Sequence, residues 1–287
     1  MTMVWAGLST GAIYVLVAVS FNLVFVVSGT FNFAQPQYLM LGTFVSYAVV
    51  VKLELPLVVA IAAGAAIGYL IGAAEELIAI RPLSKAGQHA ELVTTVGWSV
   101  IMEGAALLIW DSDPLKVPGT AADNSVELLG GRLTVLDLII VVLAVAAAVV
   151  AQVLLRRTRI GLAALAVAED SAAAALRGIN IKRMSTVMAG LAGGLLGAMG
   201  PVVAPKTFAV FSLGSFLVLK AFVALTIGGF GSNAGALIGG VAVGLIESAT
   251  LRYLGGTYAN LMLFAVLLVV LLVRPQGLFG RQRERVV

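Results

Sequence analysis

Nine long apolar runs, separated by short polar or glycine-rich stretches, constrain the fold of this chain more than any other feature. They cover roughly residues 4–28, 36–51, 56–80, 92–110, 135–155, 184–204, 214–230, 234–251 and 258–273. About 20 apolar residues in a helix cross the hydrocarbon layer of a bilayer, and the runs lack the alternation typical of a membrane β-barrel. The sequence therefore predicts an all-α, polytopic transmembrane bundle of about eight or nine membrane-embedded helices, forming a single domain over 1–287.

The composition argues against several functional classes. Only 11% of the residues are charged and cysteine is absent, whereas a soluble domain carries about 25% charged residues. With a single histidine, His89, the chain offers too few ligands for a histidine-based metal site. It has no GxxxxGK[ST] phosphate-binding loop, no HExxH motif and no acid/base constellation. We therefore expect no metal and no cofactor bound by this chain and no enzymatic activity, and an intramembrane enzyme is the weakest hypothesis.

Positive charge lies between the apolar runs, where it fits a membrane surface better than nucleic acid. Of the 18 Lys and Arg residues, six fall in 156–183 and four in the tail after residue 273. Segment 81–89 is also basic, whereas 111–134 carries four acidic residues against two basic ones. Cytoplasmic loops of membrane proteins are enriched in Lys and Arg. We therefore place the basic segments in the cytoplasm and 111–134 outside.

This orientation restricts the number of helices between the loops. An odd number must separate 156–183 from a cytoplasmic tail, so the long run 214–251 is predicted to fold as two helices with a turn at 228–233. The first part of the chain has no charge that fixes its side. Residues 30–51 either span fully, with the N-terminus outside, or form a re-entrant segment, with the N-terminus inside.

Glycines spaced four residues apart predict close helix packing. Without a Cβ, two helices can approach until their backbones touch, and two runs carry overlapping pairs of this kind, at 190/194 and 193/197 and at 235/239 and 240/244. The glycines assigned to helix packing are Gly190, Gly194, Gly228, Gly229, Gly231 and Gly239.

Amides and charges inside apolar runs are candidates for a polar route. Polar groups in a membrane need partners, so they either bond helices together or line a wet pathway. We favour helix bonding for Asn22 and pathway lining for the cluster around 32–37; the pathway candidates together are Asn22, Asn32, Phe33, Gln35 and Gln37. The ionisable candidates within spans are Glu103, Lys220 and Glu247.

Intramembrane charges are costly and usually face a cavity or a partner. For Lys220 the sequence suggests snorkelling toward the interface, and for Glu247 a pair with a neighbouring subunit. Glu75 and Glu76 lie about one helical turn before Arg81 and are expected to mark the inner interface.

The cytoplasmic segment 161–183, GLAALAVAEDSAAAALRGINIKR, predicts a short amphipathic helix. Alanine and leucine favour helix, Gly178 is a typical left-handed stop, and spacings of three and four give one apolar stripe made of Leu162, Leu165, Ala168, Ala172 and Leu176. Helices that lie on lipid usually place Lys or Arg opposite Trp or Phe, whereas this one carries Glu169 and Asp170. From the pattern alone, docking on a protein and lying on lipid are equally favoured.

Five segments, in this order, carry a resemblance to a known family. They are GAIYVLVAVSFNLVFVVSGTFNFAQPQYLMLG (11–42), IRPLSKAGQHAELVTTVG (80–97), AEDSAAAALRGINIKR (168–183), LKAFVALTIGGFGSNAGALIGGVAVGLIES (219–248) and LVRPQGLFG (272–280). They resemble the branched-chain amino-acid permeases of bacterial ABC importers, the Liv-type inner-membrane permeases. The similarity covers nearly the whole chain, whose modest length is similar to that of the smaller of the two permeases that such importers pair.

The resemblance implies a permease subunit that forms half of the translocation pathway for branched-chain amino acids or a related small polar solute. The implied partners are a second homologous permease, two cytoplasmic ATPases that bind ATP and Mg, and a periplasmic or lipid-anchored solute-binding protein. It also implies a bacterial inner membrane, with the C-terminus in the cytoplasm. The ATPase-coupling residues that it implies, in the loop at about 156–183, are Ala168, Glu169, Asp170, Ala174, Arg177 and Gly178.

One departure from the family pattern bears on the substrate. Where the family commonly has NFAHG, residues 32–36 read NFAQP, so an amide replaces an imidazole and a proline replaces a glycine. This leaves open whether the solute is a branched-chain amino acid, another amino acid, urea, an amide or an aromatic acid. The alternative function is a self-contained, ion-coupled secondary transporter or channel, for which Glu103 and Glu247 are the candidates for ion coupling.

Overall fold

The structure is a computed structural model that describes residues 1–83, 88–119, 124–128, 130–274 and 276–280. The helices are α1 (Thr2–Ser28), α2 (Gln35–Ser46), α3 (Leu57–Glu75), α4 (Arg81–Leu83), α5 (Gln88–Trp110), α6 (Val135–Arg157), α7 (Arg159–Glu169), α8 (Ser171–Leu176), α9 (Ile181–Thr207), α10 (Leu213–Gly228), α11 (Asn233–Tyr253) and α12 (Ala259–Val273). Two π-helical segments, Tyr47–Lys52 and Glu76–Ile80, extend α2 and α3, and a 3₁₀ turn, Gly256–Tyr258, precedes α12. Strands β1 (Ser125–Leu128) and β2 (Gly131–Thr134) form one antiparallel hairpin.

The helices confirm the prediction of a polytopic helical membrane protein. In the described part of the chain, seven helices are long and apolar enough to cross a bilayer, and α10 is a shorter apolar helix. Seven of the nine predicted runs contain one of these long helices. The second run holds α2 and its π-helical extension, and the seventh holds α10. The run 214–251 does fold as two helices, because α10 ends at Gly228 and α11 begins at Asn233.

Helix α1 lies at the centre of the bundle and contacts α2, α6, α9, α10 and α11. It carries no charged side chain over its 27 residues, and a helix that is apolar all round is suited to a buried position. Val17, Ala18 and Val19 have no exposed surface at all. The central helix therefore places four of its polar side chains, Ser9, Tyr14, Ser20 and Asn22, inside the protein.

Glycines bring α9 into backbone contact with α3 and α2. A Cβ placed on Gly68 would lie 2.3 Å from the Gly193 carbonyl oxygen, and one on Gly42 would lie 2.5 Å from that of Gly197. Of the predicted packing glycines, Gly190 and Gly194 face Tyr69 of α3. These positions leave no room for a side chain, which is how small residues let membrane helices pack closely.

The other packing candidates lie around α11 and the turn before it. A Cβ on Gly239 would lie 1.9 Å from the Ala224 carbonyl oxygen, and Gly228 packs on Gly235 in the same way. Gly229 contacts the backbone of Gly280. Gly231 differs, since a Cβ there would meet nothing within 4 Å; its φ of +79°, which L side chains rarely adopt, is what requires glycine in this turn.

Backbone contacts define two ends of the bundle, which we call the Met1 end and the Gly229 end. At the Met1 end, Ser248 donates to the Met3 carbonyl (2.9 Å) and the backbone N–H of Arg132 in the β-hairpin donates to Thr2 (3.3 Å). At the Gly229 end, the N–H of Phe279 in the tail donates to the Gly228 carbonyl (3.0 Å). The N-terminus thus lies at the same end as segment 111–134.

Helix α2 crosses the bundle in the direction opposite to α1. Asn32, just before α2, contacts Glu75 near the Gly229 end of α3, whereas Lys52, after α2, lines a cavity with Asp111 at the Met1 end. Residues 30–51 therefore run from one end of the bundle to the other, a course that favours the fully spanning alternative over a re-entrant segment. The predicted inner charges Lys85, the His89 side chain, Arg281, Arg283 and Arg285 lie outside the described residues.

Segment 159–178 forms two helices, so the prediction of one amphipathic helix is wrong. Asp170 has extended backbone angles, and its carboxylate accepts the N–H groups of Ala172 and Ala173 at 2.9 Å each. It therefore ends α7 and caps α8, as a typical N-cap aspartate does. The expected apolar stripe does not form one buried face, because Leu176 is 91% exposed and Leu162 is 52% exposed.

Candidate solute route and coupling surface

Asn22 ties the central helix to the glycine turn between α10 and α11. Its side-chain oxygen accepts the Gly231 N–H at 3.0 Å, and its amide nitrogen donates to the Asn233 side chain at 3.4 Å. Asn22 is fully buried. The structure thus places Asn22 as a link between helices, the role that the sequence favoured for it, and not on an open surface.

The amides before and within α2 lie in a buried cluster around Glu75. Asn32 donates to Glu75 Oε2 at 2.7 Å, and the Tyr38 hydroxyl donates to the same oxygen. Gln35 accepts a hydrogen bond from Ser20 of α1 at 2.7 Å. Glu75 is fully buried, and its bonds to Asn32 and Tyr38 hold its carboxylate inside the protein near the Gly229 end. The expectation that Glu75 and Glu76 mark the inner interface stays a prediction.

Gln37 is also buried, and its side chain packs on Gly214 of α10, where a Cβ would lie 2.2 Å from Gln37 Oε1. The cluster joins α1, α2, α3 and α10, with no member on an open surface. The assignment of this amide cluster to the solute pathway therefore stays a prediction. The cluster could line a pathway only in a conformation in which these four helices separate.

Phe33 belongs to a group of five phenylalanines near the Gly229 end. Phe31 is its centre, with ring centroids 4.9 Å from those of Phe25 and Phe230 and 5.4 Å from that of Phe222. Phe33 lies 6.0 Å from Phe222. All five side chains are partly exposed, so the group forms an aromatic surface on one side of the bundle. Sequence reasoning missed it because the rings come from four separate segments.

Lys220 and Glu247 pair with each other, which corrects both sequence expectations. Lys220 Nζ donates to Glu247 Oε1 and the Tyr14 hydroxyl donates to Oε2, and the ammonium also lies 5.7 Å from the centre of the Tyr14 ring. Lys220 therefore does not snorkel, and Glu247 needs no neighbouring subunit. A buried ion pair requires that its remaining lone pairs be satisfied, and here both carboxylate oxygens have donors.

Glu103 of α5 accepts a hydrogen bond from Ser215 of α10 and is partly exposed. It does not contact the Lys220–Glu247 pair directly, although Ser215 and Lys220 line the same hollow between α10 and α12. The three predicted charges thus lie on three helices, α5, α10 and α11, and form two separate groups, each of which includes a residue of α10.

A second ion pair, which sequence reasoning missed, joins three helices at the Met1 end. Lys206 near the end of α9 pairs with Asp137 of α6 and donates to Ser9 of α1 at 2.6 Å. Asp137 also completes a capping box with Thr134. The sequence signal was a Thr-x-x-Asp pattern before an apolar run, but nothing in it indicated Lys206 as the partner.

The α7–α8 corner projects from the Gly229 end. Glu169, Asp170, Arg177 and Gly178 are exposed, Ala168 is partly buried and Ala174 is buried. Gly178 has a φ of +85° and ends α8 as predicted. Leu176 was assigned only to an apolar stripe, yet with 91% of its surface accessible it is the most exposed large apolar side chain of this corner.

A bundle of membrane-length helices with amides and ion pairs in its interior is typical of membrane transport proteins. The comparison with protein families assigns it within that class. The family described as "Branched-chain amino acid transport system / permease component" matches residues 3–272. The chain belongs to this family, which confirms the resemblance and makes it a transport permease component rather than an enzyme.

Curated relatives support the same assignment over nearly the full length. The high-affinity branched-chain amino acid transport system permease protein LivH of Escherichia coli K12 is 30% identical over 294 residues, covering 96% of this chain and 94% of LivH. BraD of Pseudomonas aeruginosa, a permease protein of the same description, is 29% identical over 289 residues, with the same coverage. A solved structure, PsaBC from Streptococcus pneumoniae in complex with Fab, shares the fold with a TM-score of 0.50 at 12% identity, covering 96% of this chain and 93% of that one.

Proposed function

We propose that the chain is the membrane permease subunit of an ATP-driven importer and forms one half of a route for branched-chain amino acids or a related small polar solute. The observation that carries this proposal is the family match over residues 3–272. The permeases named LivH and BraD, which are similar along nearly their whole length, are described as parts of branched-chain amino acid transport systems.

The exposed α7–α8 corner supports coupling to an ATPase. A helix that docks on a protein groove needs an apolar anchor with polar residues around it, and Leu176 is flanked by Arg177 and by the exposed end of α7 at Glu169. Asp170 contributes by capping α8, which fixes the angle between the two helices. We assign ATP and Mg to two cytoplasmic partner subunits that receive this corner.

The charge distribution supports the orientation of the subunit. The corner and the start of the tail both lie at the Gly229 end, and this end carries Arg156, Arg157 and Arg177. Because cytoplasmic loops are enriched in Lys and Arg, we place the Gly229 end and the C-terminus in the cytoplasm of a bacterial cell. The Met1 end then faces a periplasmic or lipid-anchored solute-binding protein, and a second homologous permease supplies the other half of the route.

Co-purification with the proteins encoded beside it tests the coupling role. Leu176→Asp places a charge in the proposed groove, and we expect the ATPase to be lost from the purified complex while the permease remains in the membrane. Leu254→Asp is the matched control, because Leu254 is 51% exposed and follows α11 at the opposite end. Retention of the ATPase by both variants would remove Leu176 from the interface. Solute transport by the purified chain alone would instead favour an ion-coupled carrier.

A further inference from the structure

A small hollow, lined by five apolar and three polar residues, opens between α10 and α12 in the half of the bundle toward the Met1 end. Its volume is about 180 Å³, and its lining includes the polar side chains of Ser215, Lys220 and Asn260 and the rings of Phe216 and Phe264. Ser215 and Asn260 belong to the first turns of α10 and α12, which both begin at the Met1 end. Lys220 lies at the middle of α10, deeper in the bundle than Ser215.

Lipid is a poor occupant of this hollow. Ser215 and Lys220 each bond to a carboxylate. The Asn260 amide and the remaining ammonium N–H groups would still face hydrocarbon without partners, which is costly, and charges within a membrane usually face a cavity or a pathway. Lys220 is also set apart by its depth. In the described spans the other Lys and Arg residues lie within one turn of a helix end, whereas Lys220 is the eighth of the 16 residues of α10, about two turns from either end.

The ammonium of Lys220 retains donors for a further ligand. A lysine has three N–H groups and no acceptor, and Glu247 is the one hydrogen-bond acceptor that it contacts among the described residues. Its side chain keeps 22% of its surface accessible, compared with 9% for Glu247. The cation thus reaches the hollow, while its carboxylate partner stays behind it, held by the Tyr14 hydroxyl.

We infer that this hollow is a contact site for the carboxylate of the transported solute, with Lys220 as its cation and the Asn260 amide as a second donor. This inference rests on the proposed function, and it narrows the substrate class to carboxylates, including zwitterionic amino acids. Urea and neutral amides do not fit it. Phe216 and Phe264, 67% and 47% exposed, supply an apolar wall that suits an aliphatic side chain.

The natural absence of cysteine allows a direct test. Asn260→Cys places a single thiol in the hollow, and Leu261→Cys, at the next residue, is the matched control, because Leu261 is 64% exposed but does not line it. Each variant is assembled with its partner subunits in proteoliposomes and treated with an anionic or a cationic methanethiosulfonate reagent. Rates are normalised to those of a free thiol in solution.

We expect the Asn260→Cys thiol to react about tenfold faster with the anionic reagent than with the cationic one, because a cation in a low-dielectric hollow concentrates anions. Leucine, supplied with the binding protein and ATP, should slow this reaction. The preference should disappear when Lys220→Gln and Glu247→Gln are added together, which removes the ion pair as a unit. The Leu261→Cys thiol should stay unmodified.

Three results would overturn the inference. If neither the Asn260→Cys thiol nor the Leu261→Cys thiol reacted with the reagents, the hollow would face lipid. Modification in the isolated chain but not in the assembled importer would show that a partner side chain fills it. Equal rates for both reagents would exclude an exposed cation. The preference for the anionic reagent is measured without transport, so it does not depend on the proposed function. Failure of the proposed function would appear instead as a wild-type complex without ATP-driven uptake.

Discussion

Replacing Gly197 by alanine should destabilise the bundle, although alanine is the better helix former. Gly197 lies where α9 meets α3 and α2, and a Cβ on it would lie 2.1 Å from the Gly64 carbonyl oxygen. That is about 1.3 Å short of the 3.4 Å at which ordinary contact begins. The obstacle is backbone, so the two helices must separate.

The Gly197 carbonyl adds a second reason. Pro201, four residues on in the same helix, has no N–H, so this carbonyl lacks its helical hydrogen bond. The α-carbons of Gly42 and Gly64 approach it so closely that a Cβ on either would lie 2.5 or 2.2 Å from the oxygen. Cα–H groups in such positions form weak hydrogen bonds of about 0.5–1 kcal/mol each, and a separation of the helices would break both.

The expected magnitude follows from two opposing effects. Overpacking costs about 1–3 kcal/mol and loss of the Cα–H contacts about 1 kcal/mol more, whereas the helix propensity of alanine returns about 1 kcal/mol. We expect Gly197→Ala to lower the free energy of unfolding by about 1–3 kcal/mol. Gly104→Ala in α5 is the matched control, because a Cβ there meets nothing within 4 Å, and it should be neutral or slightly stabilising.

Thermal unfolding of the purified permease in detergent, or its unfolding by SDS, measures the difference between the two variants. The reasoning is refuted if Gly197→Ala is as stable as Gly104→Ala, since the helices would then tolerate a Cβ where the structure has no space for one.

Three further predictions concern polar groups. Glu247→Ala leaves Lys220 charged and unpaired, and should lower the free energy of unfolding by about 3–5 kcal/mol. Replacing both residues by apolar ones should lower it less. A double-mutant cycle measured by unfolding would contradict this prediction if the costs of the two single replacements simply added. Asp170→Ala removes the cap of α8 at a cost of about 1 kcal/mol in stability. It should lower solute uptake more than it lowers the amount of permease in the membrane. Unchanged uptake would exclude a coupling role for the geometry of the α7–α8 corner. Asn22→Ala leaves the Gly231 N–H without its acceptor, at a cost of about 1–3 kcal/mol. Hydrogen exchange of the amides in that turn should become faster, and unchanged exchange would refute this prediction.

The positions of the helices were predictable because the bilayer sets their length. Each apolar run had to span about 20 residues, and the parity of the charged loops then required a turn near residue 230, where α10 and α11 do separate. The left-handed stop at Gly178 was predictable for a local reason, since a residue with positive φ is usually glycine.

Partners across the fold were not predictable from one sequence. Tyr14 bonds to Glu247 across 233 residues, and no local pattern relates the two. The spacing of Gly193 and Gly197 indicated a smooth helix face, but not that α3 covers it. The end of the bundle at which the N-terminus lies depended on long-range contacts, from Ser248 to Met3 and from Arg132 to Thr2. The break at Asp170 did have a local signal, an aspartate before Ser-Ala-Ala-Ala, which is a typical helix start.

The central claim is that this chain works as the membrane half of an ATP-driven importer. Uptake of radiolabelled leucine into proteoliposomes tests it most directly, with the permease, its encoded partner permease, the ATPases and the binding protein all present. We predict uptake that requires ATP, stops when the ATPases are omitted, and falls with Leu176→Asp but not with Leu254→Asp. Uptake that continues without ATP, or without the other subunits, would contradict the account.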